Sequence, residues 1–164
     1  VRYKGGYSVV PRPVAGNGLV YVCSGFGDRR LIAIDPTGRG DITESHVRWS
    51  VKKGVPQSPS VLLVGELLFM VDDQGIGTCL DALSGEVHWQ ERLGGKFSAS
   101  PIYAQGRVYC QNEAGTTIVF KASPQFEELA RNQLAEGERT FASFAVVDRA
   151  LLLRSEKHLY RIEE

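Results

Sequence analysis

Three cysteines, three histidines and one pair of adjacent aspartates carry most of the chemical reach of this 164-residue chain. Cys23, Cys79 and Cys110 stand singly, each inside an apolar run (20–23, 78–80 and 108–110). An odd count without a Cys-x-x-Cys pair excludes a zinc knuckle or a dense disulfide framework, so buried strand thiols are expected. His46, His88 and His158 lack the paired spacing of a metal site and read as solvent-facing strand or loop residues. Asp72-Asp73 could hold a cation, but beside Gln74-Gly75 the pair reads as solvated turn formers. Gly75-Ile76-Gly77 bridges two β runs and opens no helix, so it is no dinucleotide loop. A phosphate-binding P-loop, an EF-hand loop and a nucleophile elbow are all missing. The sequence therefore assigns no catalytic residue, no cofactor-binding residue and no metal ligand.

Composition narrows the classes further. The 19 Lys+Arg balance 19 Asp+Glu, and this neutrality argues against nucleic acid, whose binders carry a basic excess. With 43% hydrophobic and 23% charged residues the chain is that of a folded domain. No run of 18 apolar residues is present, so no membrane-spanning helix is expected. The start, Val1-Arg2-Tyr3-Lys4-Gly5-Gly6, has neither an initiator Met nor the apolar centre of a signal peptide, and reads as the cut end of a longer chain.

The elements that position these residues repeat. Ser58-Pro59-Ser60-Val61-Leu62-Leu63-Val64-Gly65 is echoed by Ser100-Pro101-Ile102-Tyr103-Ala104-Gln105-Gly106 and by Arg12-Pro13-Val14-Ala15-Gly16-Asn17-Gly18, with a weaker copy in Ser143-Phe144-Ala145-Val146-Val147-Asp148. With Pro13, Pro59, Pro101 and Phe144 taken as equivalent, the steps are 46, 42 and 43 residues. Within each copy, short apolar runs alternate with Gly and Asx turns, a hairpin signature. Four strands per period of this length is the grammar of a β-propeller blade. The fold expected is all-β: four-stranded antiparallel blades, about four of them, complete or half of an eight-bladed ring. The blades fall at about 9–52, 57–92, 98–135 and 140–163. Residues 126–134 carry apolar side chains at helical spacing, but the repeat frame places a fourth strand there, and a strand is expected.

One turn is more specific. In Cys79-Leu80-Asp81-Ala82-Leu83-Ser84-Gly85-Glu86-Val87-His88-Trp89, Asp81 and Ser84 can bond backbone N–H groups, Gly85 can take a positive φ, and Trp89 can lay its ring between blades. This segment resembles the tryptophan-docking motif of quinoprotein-type (PQQ-like) propellers, Ala-x-Asp-x-x-Thr-Gly-x-x-x-Trp, departing only by Cys79 for Ala and Ser84 for Thr. The first copy keeps Asp35, Thr37, Gly38 and Trp49, with the Asp-to-Trp spacing stretched from 8 to 14 residues by a loop at 39–48. The third has Lys121-Ala122-Ser123 and no Trp, so its interface should be weaker or differently filled. Ile34-Asp35-Pro36-Thr37-Gly38 together with His158-Leu159-Tyr160-Arg161-Ile162 is similar to BamB-like and PQQ-like repeat proteins of planctomycete-type bacteria.

The resemblance implies an exported protein of the periplasm or cell envelope. It does not carry over PQQ or calcium, because there is no vicinal Cys pair and no matching ligand set; both enter only under an oxidoreductase reading. What remains is one rim of loops, with Arg29, Arg30, Lys52, Lys53, Asp72, Asp73, Lys96, Asn112 and Glu113, whose mixed charge suits a protein or peptide partner. The function expected is a non-catalytic interaction or scaffolding module. The alternatives are part of a PQQ-dependent quinoprotein oxidoreductase, or the sensor propeller of a bacterial Ser/Thr kinase. By the same spacing, residues 1–4 are expected to form an outer strand that closes the last blade or stands alone, with self-association through open blade edges.

Overall fold

The computed structural model describes residues 1–3 and 6–163. Strands β1 (Val14–Gly16), β2 (Leu19–Cys23), β3 (Leu31–Ile34) and β4 (Val47–Val51) form the first sheet; a single helical turn, α1 (Thr43–His46), sits in the long loop before β4. The second sheet holds β5 (Leu62–Val64), β6 (Leu67–Val71), β7 (Ile76–Asp81) and β8 (Val87–Arg92). The third holds β9 (Ile102–Ala104), β10 (Arg107–Gln111), β11 (Thr116–Lys121) and β12 (Glu128–Gln133). The fourth has β13 (Ala145–Val147), β14 (Ala150–Arg154) and β15 (Leu159–Glu163). All pairings within these sheets are antiparallel and follow chain order, so each sheet is a meander. The innermost strands β1, β5 and β9 touch in succession, which sets the sheets face to face as blades of a β-propeller.

The alternation of side chains explains the stacking. The middle strands of the second sheet bury both of their faces, and residues of opposite parity go to different neighbours. Leu68, Met70 and Leu80 of the second sheet join Tyr21, Leu31 and Ala33 of the first in one apolar cluster. Phe69, Val71 and Cys79, from the other face, join Val108, Cys110, Ile118 and Phe120 of the third sheet in another. A sheet that could not bury either face alone is thus covered on both. Between the third and fourth sheets the equivalent positions are more polar: Gln111 and Thr117 face each other across the β10–β11 pair, with Thr117 Oγ1 donating to Gln111 Oε1 at 2.6 Å.

Three sequence expectations change in detail. The first strands begin at Val14, Leu62, Ile102 and Ala145, so the steps are 48, 40 and 43, not 46, 42 and 43. Pro59 is the cause, since it lies two residues ahead of the position that Pro101 occupies. The phase is set instead by serines. Arg12 N–H donates to Ser60 Oγ, Ser60 N–H to Ser100 Oγ and Ser100 N–H to Ser143 Oγ, each at 2.9 Å. Residues 1–3 form no strand: Arg2 is held by Thr43 Oγ1 (2.7 Å) and the Asp41 carboxylate (2.9 Å) beside α1, and Lys4 lies outside the described residues. The loop at 39–48 contains α1, which the sequence does not announce. At 126–134 the strand expected from the repeat forms as β12, because its backbone pairs with β11 through a register shift at Val119/Phe120.

Candidate functional site

Two sets of positions repeat through the molecule: the seats between blades and the rim that joins them. In the first seat, Trp49 of β4 stands opposite Ala33 and reaches across to the second sheet, where its indole N–H donates to the Ala82 carbonyl at 3.1 Å. Its ring lies flat over Gly85. A Cβ built there would come within 2.7 Å of Trp49 Cδ2, and Gly85 has φ +75°, so glycine is required twice over. The turn that presents this glycine is tied by Asp81, whose Oδ1 accepts from Leu83 N (3.0 Å), Ser84 N (2.7 Å) and Ser84 Oγ (2.8 Å). The Ser84 bonds hold the Asp81 carboxyl below its ordinary range. Asp35 is built alike: Oδ1 accepts from Thr37 Oγ1 (2.6 Å) and Thr37 N (2.9 Å), and Oδ2 from Arg48 Nη2 (2.6 Å). The Thr37 hydroxyl bond, then its N–H and Arg48, press the Asp35 carboxyl well below the usual carboxylate range. Gly38 lies beside His46, whose Nε2 would be 2.7 Å from an added Cβ.

The second seat follows the same plan with different parts. Trp89 stands opposite Cys79 and donates to the Ser123 carbonyl at 3.2 Å. The third sheet lacks the Asp-Ser-Gly turn, and Phe126 takes up the exposed side of the indole at 5.0 Å between centroids, with Phe120 edge-on at 5.4 Å. Phe126 was not singled out from sequence as a docking residue; its aromatic character just past the Lys121-Ala122-Ser123 break was the available signal.

On the rim, the turns between second and third strands are capped by equivalent residues. Asp72 Oδ1 accepts from Gln74 N and Ile76 N (3.0 and 2.8 Å), Asn112 Oδ1 from Ala114 N and Thr116 N (3.1 and 2.9 Å), and Ser155 Oγ from Lys157 N and His158 N (3.3 and 2.9 Å). Asp72 and Asn112 are buried, 9% and 5% exposed, and the Oδ1 atom of each is spent on its own turn. Asp73 and Glu113 clasp the connecting loops: Gln57 N donates to Asp73 Oδ2 (2.7 Å) and Ser98 Oγ to Glu113 Oε1 (2.6 Å). Backbone bonds Phe97 N to Asp73 O, Glu113 N to Lys96 O and Thr140 N to Glu113 O join blade to blade. Gly75, with φ +82°, lets the 94–95 backbone close in, since an added Cβ would lie 2.7 Å from Gly95 O.

The remaining rim residues point outward. Arg30 and Lys52 both pair with Asp28, at 2.9 and 3.1 Å, and the two cations lower the Asp28 carboxyl, Arg30 foremost. Arg29, Lys53 and Lys96 are exposed and make no ion pair among the described residues. Glu138, in the rim loop 138–139, is only 6% exposed; its Oε1 lies 2.6 Å from His158 Nδ1, and its Oε2 has no partner. His88 is exposed and His46 half-buried in α1.

The cysteines are free and buried, one in each of the first three sheets, and burial pushes each thiol up to about 12. Among the described residues no three His, Cys, Asp or Glu side chains converge as metal donors. With the thiols in separate blades there is no adjacent pair either, so these residues do not fit PQQ with calcium.

A family model described as outer membrane protein assembly factor BamB matches residues 41–155. No curated protein sequence matches. Among solved structures, BamB from Moraxella catarrhalis is similar over 89% of this chain and 43% of its own, at 18% identity and a TM-score of 0.71. A quinohemoprotein alcohol dehydrogenase from Pseudomonas putida HK5 is similar over 89% of this chain and 28% of its own, at 14% identity and a TM-score of 0.70. A europium-containing methanol dehydrogenase is similar over 79% of this chain and 26% of its own, at 14% identity and a TM-score of 0.59. The chain spans less than half the length of each of these proteins.

Proposed function

The chain belongs to the outer membrane protein assembly factor BamB family, and from that premise we propose that it acts as a non-catalytic interaction and scaffolding module that binds a polypeptide in the cell envelope. The observation that carries this reading is the rim. Its turns and connecting loops are locked to one another by the Asp73, Glu113 and Thr140 bonds, so the outward side chains Arg29, Lys53 and Lys96 sit on a preorganised platform. Fixed donors bind with less ordering cost than loops that must first be frozen.

The test is site-specific photo-crosslinking in a cell envelope. A crosslinker at position 53 or 96 should trap a polypeptide, while one at position 66, in a hairpin turn of the opposite rim, should not. Equal trapping from both rims, or from neither, would overturn the assignment.

The fold similarity to quinoprotein dehydrogenases gives the oxidoreductase reading its standing. It is separated by melting the protein with PQQ and Ca²⁺, since tight binding to the folded state must raise the melting temperature. The interaction reading expects no shift.

A further inference from the structure

We propose that the interface between the third and fourth sheets is an open seat for the indole of a partner peptide. In register, Trp49 stands opposite Ala33, Trp89 opposite Cys79 and Ala130 opposite Val119. Ala130 thus occupies the position from which the first and second sheets send an indole to the next blade.

The receiving wall is nevertheless retained. In the first seat Trp49 packs, together with Leu63, against the cluster that holds Tyr21, Leu68 and Leu80, with the Tyr21 ring 5.8 Å away between centroids. The same strand positions in the third interface hold Tyr109, Val146, Leu151 and Ile162, the last two paired as Leu68 and Leu80 are. These four line a cavity of about 260 Å³. That is many times one water's share of about 30 Å³ and sits just under the ~300 Å³ at which small-molecule pockets begin. Its apolar wall is uncovered on the inner and middle strands: Val146 is 50% exposed and Leu151 is half-buried, whereas Leu68, the counterpart of Leu151 beneath Trp49, is 0% exposed. An indole also needs an acceptor for its N–H, which Ala82 and Ser123 carbonyls supply in the filled seats. Asp148 lines the third seat and offers a carboxylate oxygen there, while both oxygens of the neighbouring Glu163 accept from Arg161.

The inference rests on the interaction role only in taking the indole from a peptide; the seat itself is tested apart from the rim. The probes are N-acetyl-tryptophanamide and the peptide Gly-Ser-Trp-Ser-Gly, with Gly-Ser-Ala-Ser-Gly as control, titrated into the methyl-labelled chain. Both Trp probes should shift the methyl signals of Val146, Leu151 and Ile162 and leave those of Leu68 and Leu80 in place, and the Ala peptide should shift none. Ala130→Trp, which sends an indole into the seat from within, should abolish these shifts while raising the melting temperature. No shift at Val146, Leu151 and Ile162 in the unsubstituted chain would overturn the seat, whether or not Ala130→Trp folds, and would leave the rim reading standing. Binding that survives in a folded Ala130→Trp variant would overturn it equally.

Discussion

Trp89→Ala removes the side chain on which the second and third blades meet. Trp89 is 8% exposed, with Phe69, Phe120 and Phe126 around its ring at centroid distances of 6.2, 5.4 and 5.0 Å. An aromatic of this class buries about 150–250 Å², and at ~25 cal/mol per Å² that is about 4–6 kcal/mol. Allowing for apolar area already buried in a compact unfolded chain lowers this to about 3–5 kcal/mol, the range measured for large aromatic truncations in cores. Part of the loss is the Ser123 carbonyl, left without its donor. For a chain of this length about 2–4 °C accompanies each kcal/mol, so the melting temperature should fall by about 6–20 °C. The assay is urea unfolding followed by far-ultraviolet circular dichroism, since the substitution itself removes a fluorophore. An unchanged slope with a loss under about 1 kcal/mol would refute the inter-blade role of the ring.

Further outcomes follow from the same geometry. Gly85→Ala must carry φ +75° and a methyl 2.7 Å from Trp49 Cδ2, and should cost about 1–3 kcal/mol in urea unfolding. A disulfide reagent at pH 8 should label no cysteine in the native chain and three in urea, because burial holds Cys23, Cys79 and Cys110 protonated at that pH. Asp35 and Asp81 have folded-state carboxyls depressed below 3.8, so the stability they lend is complete above the unfolded value and is lost as pH falls through the folded ones. Asp35→Asn or Asp81→Asn should therefore lower the melting temperature near pH 6 and flatten its decline toward pH 3, read by a melting series across that range.

Much of this architecture is written in local chemistry. Short apolar runs broken by Asn17-Gly18, Gly65-Glu66 and Gln105-Gly106 define hairpins without help from distant residues. The second copy's Asp81, Ser84 and Gly85 could be assigned a turn because each residue type has a local reason to be there. What was illegible depends on partners far away in sequence. Pro59 and Pro101 look equivalent until the Ser60–Ser100 bond, 40 residues apart, fixes the phase. Asp72-Asp73 look solvated until Gln57 N–H is seen to reach Asp73 and Asp72 to fold beneath its own turn. The strand at 128–133 wins over its helical spacing only because β11 offers an unpaired edge. An outer strand at residues 1–3 needed such an edge as well, and Arg2 instead found Asp41 and Thr43.

The central claim is that an indole from one sheet is seated on the turn of the next. An isotope-edited nuclear Overhauser spectrum read at the Trp49 ring addresses it directly. Cross-peaks from that ring to Gly85 Hα, and from the indole N–H to Ala82, are expected across more than thirty residues of sequence. Cross-peaks confined to the ring's own sheet, at Ala33 and Tyr21 alone, would contradict it.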